Sequence, residues 1–514
     1  MARRKKTKRT VEFGDFQTPI QLARDACRVL ARCRVCAASI IEPTCGTGNF
    51  LFAALDQFPE ARNAIGLDIN TCYVNAANVA LRDRQYASKT RIICDSFFAT
   101  DWPELLQDLP EPLLVIGNPP WVTNADLGIL GSSNLPHKSN FQRHNGLDAI
   151  TGKSNFDISE WMLIRILELL DGRNATMAML CKTAVARKVL MHAWKNEINV
   201  KNSDYYLIDA SQHFGVSVDA CFLVCRTSSS SQGNDCSVYR SLSATKADHS
   251  FGYRDGRLVA KVAMYERWKH LQGHKGYKWR SGVKHDCTKV MELHREGAHY
   301  RNGLGKLVEL EDDYLFPMLK SSDVANGPCE RTARVMLVTQ KAVGDDTRAI
   351  RASARKTWDY LIEHAEFLDR RASSIYRNRP RFSVFGVGPY SFAPWKVAIS
   401  GFYKKLLFKV VGSIGGRPVM LDDTSYFVPC STEHEAEFVV SLLNSTIAKG
   451  FFEAFLFWDA KRPITVDLLD RIDLLALARE LRTESTMERY LAQQQSSYKK
   501  RKPERVIQGE LFPK

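Results

Sequence analysis

Four short stretches carry side chains whose types and spacing could do chemistry. The first is Glu42-Pro43-Thr44-Cys45-Gly46-Thr47-Gly48-Asn49-Phe50. Gly46 and Gly48 let the backbone turn sharply and come close to a ligand. A dinucleotide fingerprint needs a third glycine, and position 51 is Leu, so a pyrophosphate is disfavoured. Glu42, four residues before the first glycine, could meet a ligand amine. A lone Gly-x-Gly reads equally well as an ordinary strand–helix turn. The second stretch is Gly66-Leu67-Asp68-Ile69-Asn70, with a carboxylate that could accept both hydroxyls of a ribose. The third is Cys94-Asp95-Ser96-Phe97, whose polar side chains could meet an adenine ring. Each alone reads as a turn. In this order and spacing they describe an adenosine-type cofactor without phosphates.

The fourth stretch is Ile116-Gly117-Asn118-Pro119-Pro120-Trp121. Two prolines remove backbone donors and fix local φ angles. The Asn118 side-chain oxygen and the Pro119 carbonyl are then acceptors for the two N–H donors of an exocyclic amine. Trp121 offers a flat face for a base to stack upon. A merely rigid strand–loop turn is the competing reading, and the three preceding stretches argue against it.

With these motifs together, the sequence resembles the amino-group DNA methyltransferases that use S-adenosylmethionine. It is most similar to the γ-ordered N6-adenine enzymes of the TaqI type. The resemblance includes Phe13-Gly14-Asp15-Phe16-Gln17-Thr18-Pro19, where that family contacts its cofactor. It also includes Gly152-Lys153-Ser154-Asn155-Phe156 and Gln212-His213-Phe214-Gly215-Val216, the latter matching the loop whose Phe touches the target base. A looser likeness runs through Phe316-Pro317-Met318-Leu319 and Ser441-Leu442-Leu443-Asn444-Ser445. Trp121 departs from the Tyr of the TaqI type, but a larger aromatic should still stack.

The resemblance implies a catalytic set of Asn118, Pro119, Pro120, Trp121 and Phe214. It implies that Thr18, Pro19, Glu42, Pro43, Thr44, Cys45, Gly46, Gly48, Asp68, Ile69, Asp95 and Ser96 hold S-adenosylmethionine, with no metal. Hydrogen bonds to Asn118 and Pro119 would localise the N6 lone pair, and the base would have to flip out of the duplex. The implied partners are duplex DNA and a separately encoded restriction endonuclease, with the chain acting as a monomer.

These residues need a frame to hold them. Short β-rich runs at 39–41, 64–67, 91–94, 113–117, 176–180, 205–208 and 220–225 alternate with helical patterns at 20–32, 48–57 and 160–170. Such alternation predicts an α/β fold, a doubly wound Rossmann-like sheet with each motif at a strand end. Asp157, with Glu160 three residues on, predicts a helix start. The 205–208 and 220–225 pair leaves no room for a helix between them, so an antiparallel, hairpin-like edge is expected. The Ser-rich run 227–235 is the expected domain boundary. The loop 122–152, rich in Gly, Asn and Ser, has the length of a functional segment.

The chain has 514 residues and a net charge of +15, too long for one compact domain. Residues 10–250 hold 22 Lys/Arg against 25 Asp/Glu, whereas 251–300 hold 11 against 5 and 351–400 hold 9 against 4. The excess interleaves with aromatics, as in Tyr265, Arg267, Trp268, Lys269, Tyr277, Lys278, Trp279 and Arg280. Nucleic acid is the first partner this suggests, and a solvated surface explains it equally well. The expected organisation is a basic segment 1–12, a catalytic domain 13–240, a mixed α/β target-recognition domain 241–475 and a helical, basic tail 476–514.

No apolar run approaches the ~18 residues that cross a bilayer. Thirteen cysteines scattered in apolar segments read as reduced cytoplasmic thiols. Cys33-Arg34-Val35-Cys36 has zinc-like spacing but no second pair, so helix-packed thiols are the expectation. Lys284-His285-Asp286-Cys287 fits a DNA contact or a turn. Two alternatives remain: methylation of RNA or a protein glutamine, and a non-catalytic DNA-binding module. The first leaves the basic second half without a purpose. The second needs damaged motifs, and Glu42, Gly46, Gly48, Asp68, Asn118 and Pro119 all stand.

Overall fold

The computed structural model describes residues 17–122, 157–229, 233–273 and 277–500. The expectations for residues 1–16, for most of the 122–152 loop, for 152–156 and for the basic end beyond 500 lie outside them. The chain divides into two compact units, Met1–Ala263 and Met264–Lys514.

The first unit is built on one ten-stranded sheet. Its strands are β1 (Ser39–Glu42), β2 (Asn63–Asp68), β3 (Thr90–Cys94), β4 (Leu113–Gly117), β5 (Ala175–Lys182), β6 (Val200–Asp209), β7 (Asp219–Thr227), β8 (Asp235–Tyr239), β9 (His249–Arg254) and β10 (Arg257–Val259). Their order is β10-β9-β8-β6-β7-β5-β4-β1-β2-β3. β3, β2, β1, β4 and β5 are mutually parallel. Every residue of β1 and β4 is buried. That is why these strands read as continuous apolar runs rather than alternating ones. Helices Ile20–Arg32 and Asn49–Gln57 turn Leu22, Ala26, Val29, Phe50 and Ala54 into one core with Ile40 and Leu114. Asp157 caps helix Ile158–Leu169 by accepting from the Ser159 amide, while the Glu160 carboxylate meets Lys188 at 2.7 Å.

Two expectations need correction. β6 and β7 are antiparallel, but they do not form an edge: β7 inserts between β5 and β6, and β8 to β10 extend the sheet beyond β6. A five-residue helix, Ala210–Phe214, also fits between them, capped by Asp209 and closed by Gly215 at φ +66°. The Ser-rich run leads from β7 to β8 of the same sheet, so the sheet continues to residue 259, past the expected boundary at 240. Polar composition marks a turn; it does not say whether the next strand returns to the same sheet.

The second unit carries two smaller sheets. One has four strands in the order β11 (Arg280–Ser281), β20 (Ser425–Cys430), β17 (Trp395–Ser400), β18 (Lys409–Val411). The other has six, in the order β14 (Leu307–Val308), β13 (His299–Asn302), β12 (Glu292–Glu296), β16 (Arg334–Leu337), β15 (Leu315–Leu319), β19 (Met420–Leu421). Here the interleaved aromatics are largely structural. Tyr265 and Trp279 are buried. The Tyr277 hydroxyl donates to buried Glu435 at 2.7 Å, and Lys269 pairs with Glu266. Lys284-His285-Asp286-Cys287 holds a turn. His285 is buried, its Nδ1 accepts from the Cys287 amide at 3.1 Å, and Asp286 sits at φ +50°.

All thirteen cysteines are free; Cys33 Sγ lies 3.3 Å from the Tyr206 hydroxyl. Among the described residues no helix is long and apolar enough to cross a membrane.

Candidate functional site

Parallel strands deliver their carboxyl ends to one edge, and a doubly wound sheet binds ligands there. Glu42 ends β1, Asp68 ends β2 and Gly117 ends β4, with Glu42 level with Gly66 and Asp68 level with Cys94. At this edge of the first unit lies a cavity that opens to solvent, the place where such sheets take their ligands. Glu42, Pro43, Thr44, Cys45 and Gly46 form one wall. Thr18, Asp68, Ile69, Asn118 and Pro120 also line it.

The turn after β1 is held tightly. Gly46 has φ +52°, and a Cβ there would fall 2.6 Å from Gln17 Oε1. Gln17 Oε1 in turn accepts from the Thr47 amide and hydroxyl at 3.2 Å each. Asn49 Nδ2 donates to the Thr18 carbonyl at 2.8 Å. The 17–19 segment and the glycine turn are thereby stitched together. Asp68 completes the cradle: Oδ2 accepts from the Gly46 amide at 2.7 Å and Oδ1 from the Asn70 amide at 2.8 Å. Gly48, at φ +86°, is a packing requirement, since a Cβ would meet the Phe52 ring at 2.7 Å. It and Pro19 are not on the cavity wall.

Glu42 is buried and accepts from the Leu51 amide at 2.8 Å. Burial pushes its carboxyl well above the usual range; the Leu51 bond opposes this and nearby Asp68 adds to it. Burial likewise pushes the Cys45 thiol up, and nearby Glu42 and Asp68 add to it. Thr44 Oγ1 is shut off from solvent with no hydrogen-bond partner among the described residues. Such an atom is satisfied by an ordered water or a local shift of its neighbours.

Asp95 and Ser96 are spent on their own turn. Asp95 accepts from the Ser96 amide and the Thr100 hydroxyl, and Ser96 Oγ accepts from the Phe98 amide. The turn thereby presents Phe97 and Phe98 to the cavity. Phe97 stands 4.9 Å from Trp102 and Phe98 5.2 Å from Trp161, measured between ring centres. Tyr73, Phe98 and Met162 line the cavity as well, and sequence reasoning missed them. Phe98 adjoins the quoted motif and Tyr73 lies in the first turn of the helix Thr71–Leu81 that follows Asn70, so both carried a positional signal. Met162 carried none.

Asn118 and Pro120 face the cavity, and Pro119 is buried beside them. Trp121 is placed differently from the open stacking face expected. It is 7% exposed, its Nε1 donates to the Leu180 carbonyl at 3.4 Å, and its ring stands edge-on to Phe214 at 5.3 Å. A large aromatic beside an apolar core gains by burying its area there. The structure thus joins Trp121 to Phe214, while neither lines the cavity.

Comparisons with known proteins bear on this arrangement. A family model described as N-6 DNA Methylase matches residues 3–212. The type II methyltransferase M.NspV of Nostoc sp. (strain ATCC 29411 / PCC 7524) is 45% identical over 476 residues, 92% of this chain and 98% of that protein. The solved structure of the type IIL restriction-modification enzyme MmeI in complex with DNA aligns with a TM-score of 0.50. That alignment covers 94% of this chain and 73% of the other at 13% identity, a likeness of fold.

Proposed function

We propose a function from one premise: the chain belongs to the N-6 DNA methylase family and is a DNA methyltransferase of a restriction–modification system. The cavity at the carboxyl edge is the site of S-adenosylmethionine, and the target is adenine N6 in one duplex sequence. The observation that carries this reading is that Asn118 opens onto the same cavity as Glu42, Thr44 and Asp68. An acceptor for the target amine and the polar groups for a nucleoside cofactor share one chamber.

The residues present fit that cofactor. Asp68 sits where a ribose would be met, and Phe97 and Phe98 offer apolar faces to a purine. Glu42, destabilised as an anion by burial, gains its charge partner when an ammonium group arrives. When bound, S-adenosylmethionine supplies a methyl group already activated on a sulfonium. The protein then needs positioning more than acid–base help.

Asn118 accepts from the N6 amine and favours a nitrogen whose lone pair is free to attack; the Pro119 carbonyl is the second acceptor. The target base leaves the duplex to reach them. Trp121 and Phe214, packed edge to face, brace that opening and replace stacking if they reorient. Residues 264–475 of the second unit read the DNA sequence. The enzyme works as a monomer in the cytoplasm, beside a separately encoded endonuclease.

Sequencing of methylated bases in a host expressing this chain tests the reading. N6-methyladenine at one recurring sequence, absent with Asn118→Ala, is the expected result. Methylation confined to cytosine would overturn it.

A further inference from the structure

We infer that Lys182 is a positioning residue for methyl transfer, its ammonium fixing the backbone where the Asn118-Pro119-Pro120-Trp121 segment ends. The inference rests on the reading that Asn118 acts on the target amine. β4 and β5 are parallel, with Gly117 opposite Met179. β4 stops there, while β5 runs three residues further, to Lys182. The overhang lies beside the segment as it leaves the sheet.

Two contacts join them. Trp121 Nε1 donates to the Leu180 carbonyl at 3.4 Å, and Lys182 Nζ donates to the Trp121 carbonyl at 3.2 Å. The same ammonium donates to Asp157 Oδ2 at 2.6 Å. Asp157 caps helix Ile158–Leu169 through the Ser159 amide, and the Ile158 amide donates to the Val122 carbonyl at 2.9 Å. One cation therefore ties β5, the end of the segment and the start of a helix at a single point. The Asp157 side chain is 9% exposed and that of Lys182 26%. Sheltered, charge-assisted bonds hold a geometry better than surface ion pairs do.

The two prolines restrict φ inside the segment but anchor neither end. The β4 ladder holds the upstream end, and Lys182 holds the downstream end. A service to its own helix does not explain the side chain: Lys182 precedes helix Thr183–Lys195 and makes no side-chain cap there. Displacing a reacting group by about 1 Å costs on the order of 100-fold in rate, so the anchor bears on Asn118.

The test compares the parent with Lys182→Met, Lys182→Arg, Asp157→Asn, the Lys182→Met/Asp157→Asn pair and Asn118→Ala. Single-turnover methylation, titration with S-adenosylmethionine and thermal melting are measured on each. Lys182→Met should methylate ~10–100-fold more slowly, with cofactor affinity and melting near those of the parent. Lys182→Arg should recover part of the rate, because it still reaches both acceptors. The double variant should be no slower than Lys182→Met, since both remove one linkage. Lys182→Met at the parent's rate overturns the inference, as does a rate loss matched by falls in melting and cofactor affinity. If Lys182→Met does not fold, Asp157→Asn decides: slower transfer at unchanged melting supports the anchor, and the parent's rate overturns it. Asn118→Ala at the parent's rate would instead sink the reading of the segment itself.

Discussion

In the first unit, Glu42, Thr44, Asp68 and Asn118 converge on one cavity; in the second, buried polar groups converge on each other. Glu435 accepts from Tyr277, Gln494 and the Ser431 amide. Glu292 is held between Lys320 at 2.6 Å and His285 at 3.4 Å. Both units obey the rule that buried polar atoms need partners. They differ in what the bonded groups face: those of the first unit also line a cavity. A polar residue becomes a candidate for chemistry when the fold sets it on the wall of a space that a ligand can fill. It is architecture when it borders no such space.

The largest expected effect breaks the comparison at its functional end. Asn118→Ala should slow methylation by ~100-fold or more, as for a group matched to the transition state, while cofactor binding stays largely intact. A rate equal to the parent's would leave the first unit's convergence without chemical meaning.

Asp68→Ala should weaken S-adenosylmethionine by about 1.5–3 kcal/mol, the worth of bonds to a charged group. Calorimetric titration reads it directly. Because Asp68 also holds the Gly46 and Asn70 amides, part of the loss comes from a loosened turn. Asn70→Ala, which leaves the carboxylate in place, should lose less.

Tyr277→Phe tests the opposite expectation. It removes one donor from buried Glu435 and should destabilise the second unit by about 1–3 kcal/mol. Cofactor affinity should not change. A change would mean that the second unit's polar bonds reach the cavity after all.

The smallest effect concerns Lys396, buried on β17, with Nζ donating to the Ala393 carbonyl at 2.8 Å. Burial lowers its pKa to about 7, with Cys430 opposing. The native lysine sheds its proton above about pH 7, whereas the unfolded one keeps it to ~10.4. Unfolding therefore takes up a proton between those values, and stability rises with pH across that window. Lys396→Met should raise melting by ~2–4 °C per kcal/mol gained near pH 6, and the gain should shrink toward pH 10. A gain independent of pH would show that packing, not titration, is responsible.

The same contrast explains what could be read from residues alone. The seven strands of the first half stand within a few residues of their expected places; β1, β4, β5 and β7, buried along nearly their whole length, are the ones that advertise themselves as strands covered on both faces. Glu42, Asp68 and Asn118 were legible because each follows such a run. Asp95 and Ser96 were read as ligands by the same logic; their side chains bond their own turn, as that of Asp68 does, but they do not line the cavity. Composition cannot distinguish a side chain that faces a ligand from one that bonds the next amide. Trp121 was legible as an aromatic and not as a buried one, since its neighbours Leu180 and Phe214 are distant in sequence. In the second half, tyrosines and tryptophans among lysines and arginines fitted a nucleic-acid surface and a solvated one equally well. Tyr265 and Trp279 instead fill the core.

The placement of β7 between β5 and β6 has a consequence for a chain that is only partly synthesised. β6 is made first but has no partner in the finished sheet except β7 and β8. In the finished sheet it does not pair with β5, because the later strand occupies that seat. A chain ending at residue 209 therefore lacks β7, the strand that joins β6 to β5. The parallel strands β1 to β4, with Glu42, Asp68 and Asn118 at their ends, have all been synthesised by then. A nascent chain stopped near residue 209 thus holds the cavity's main residues while the flank that seats Trp121 against Phe214 is still missing.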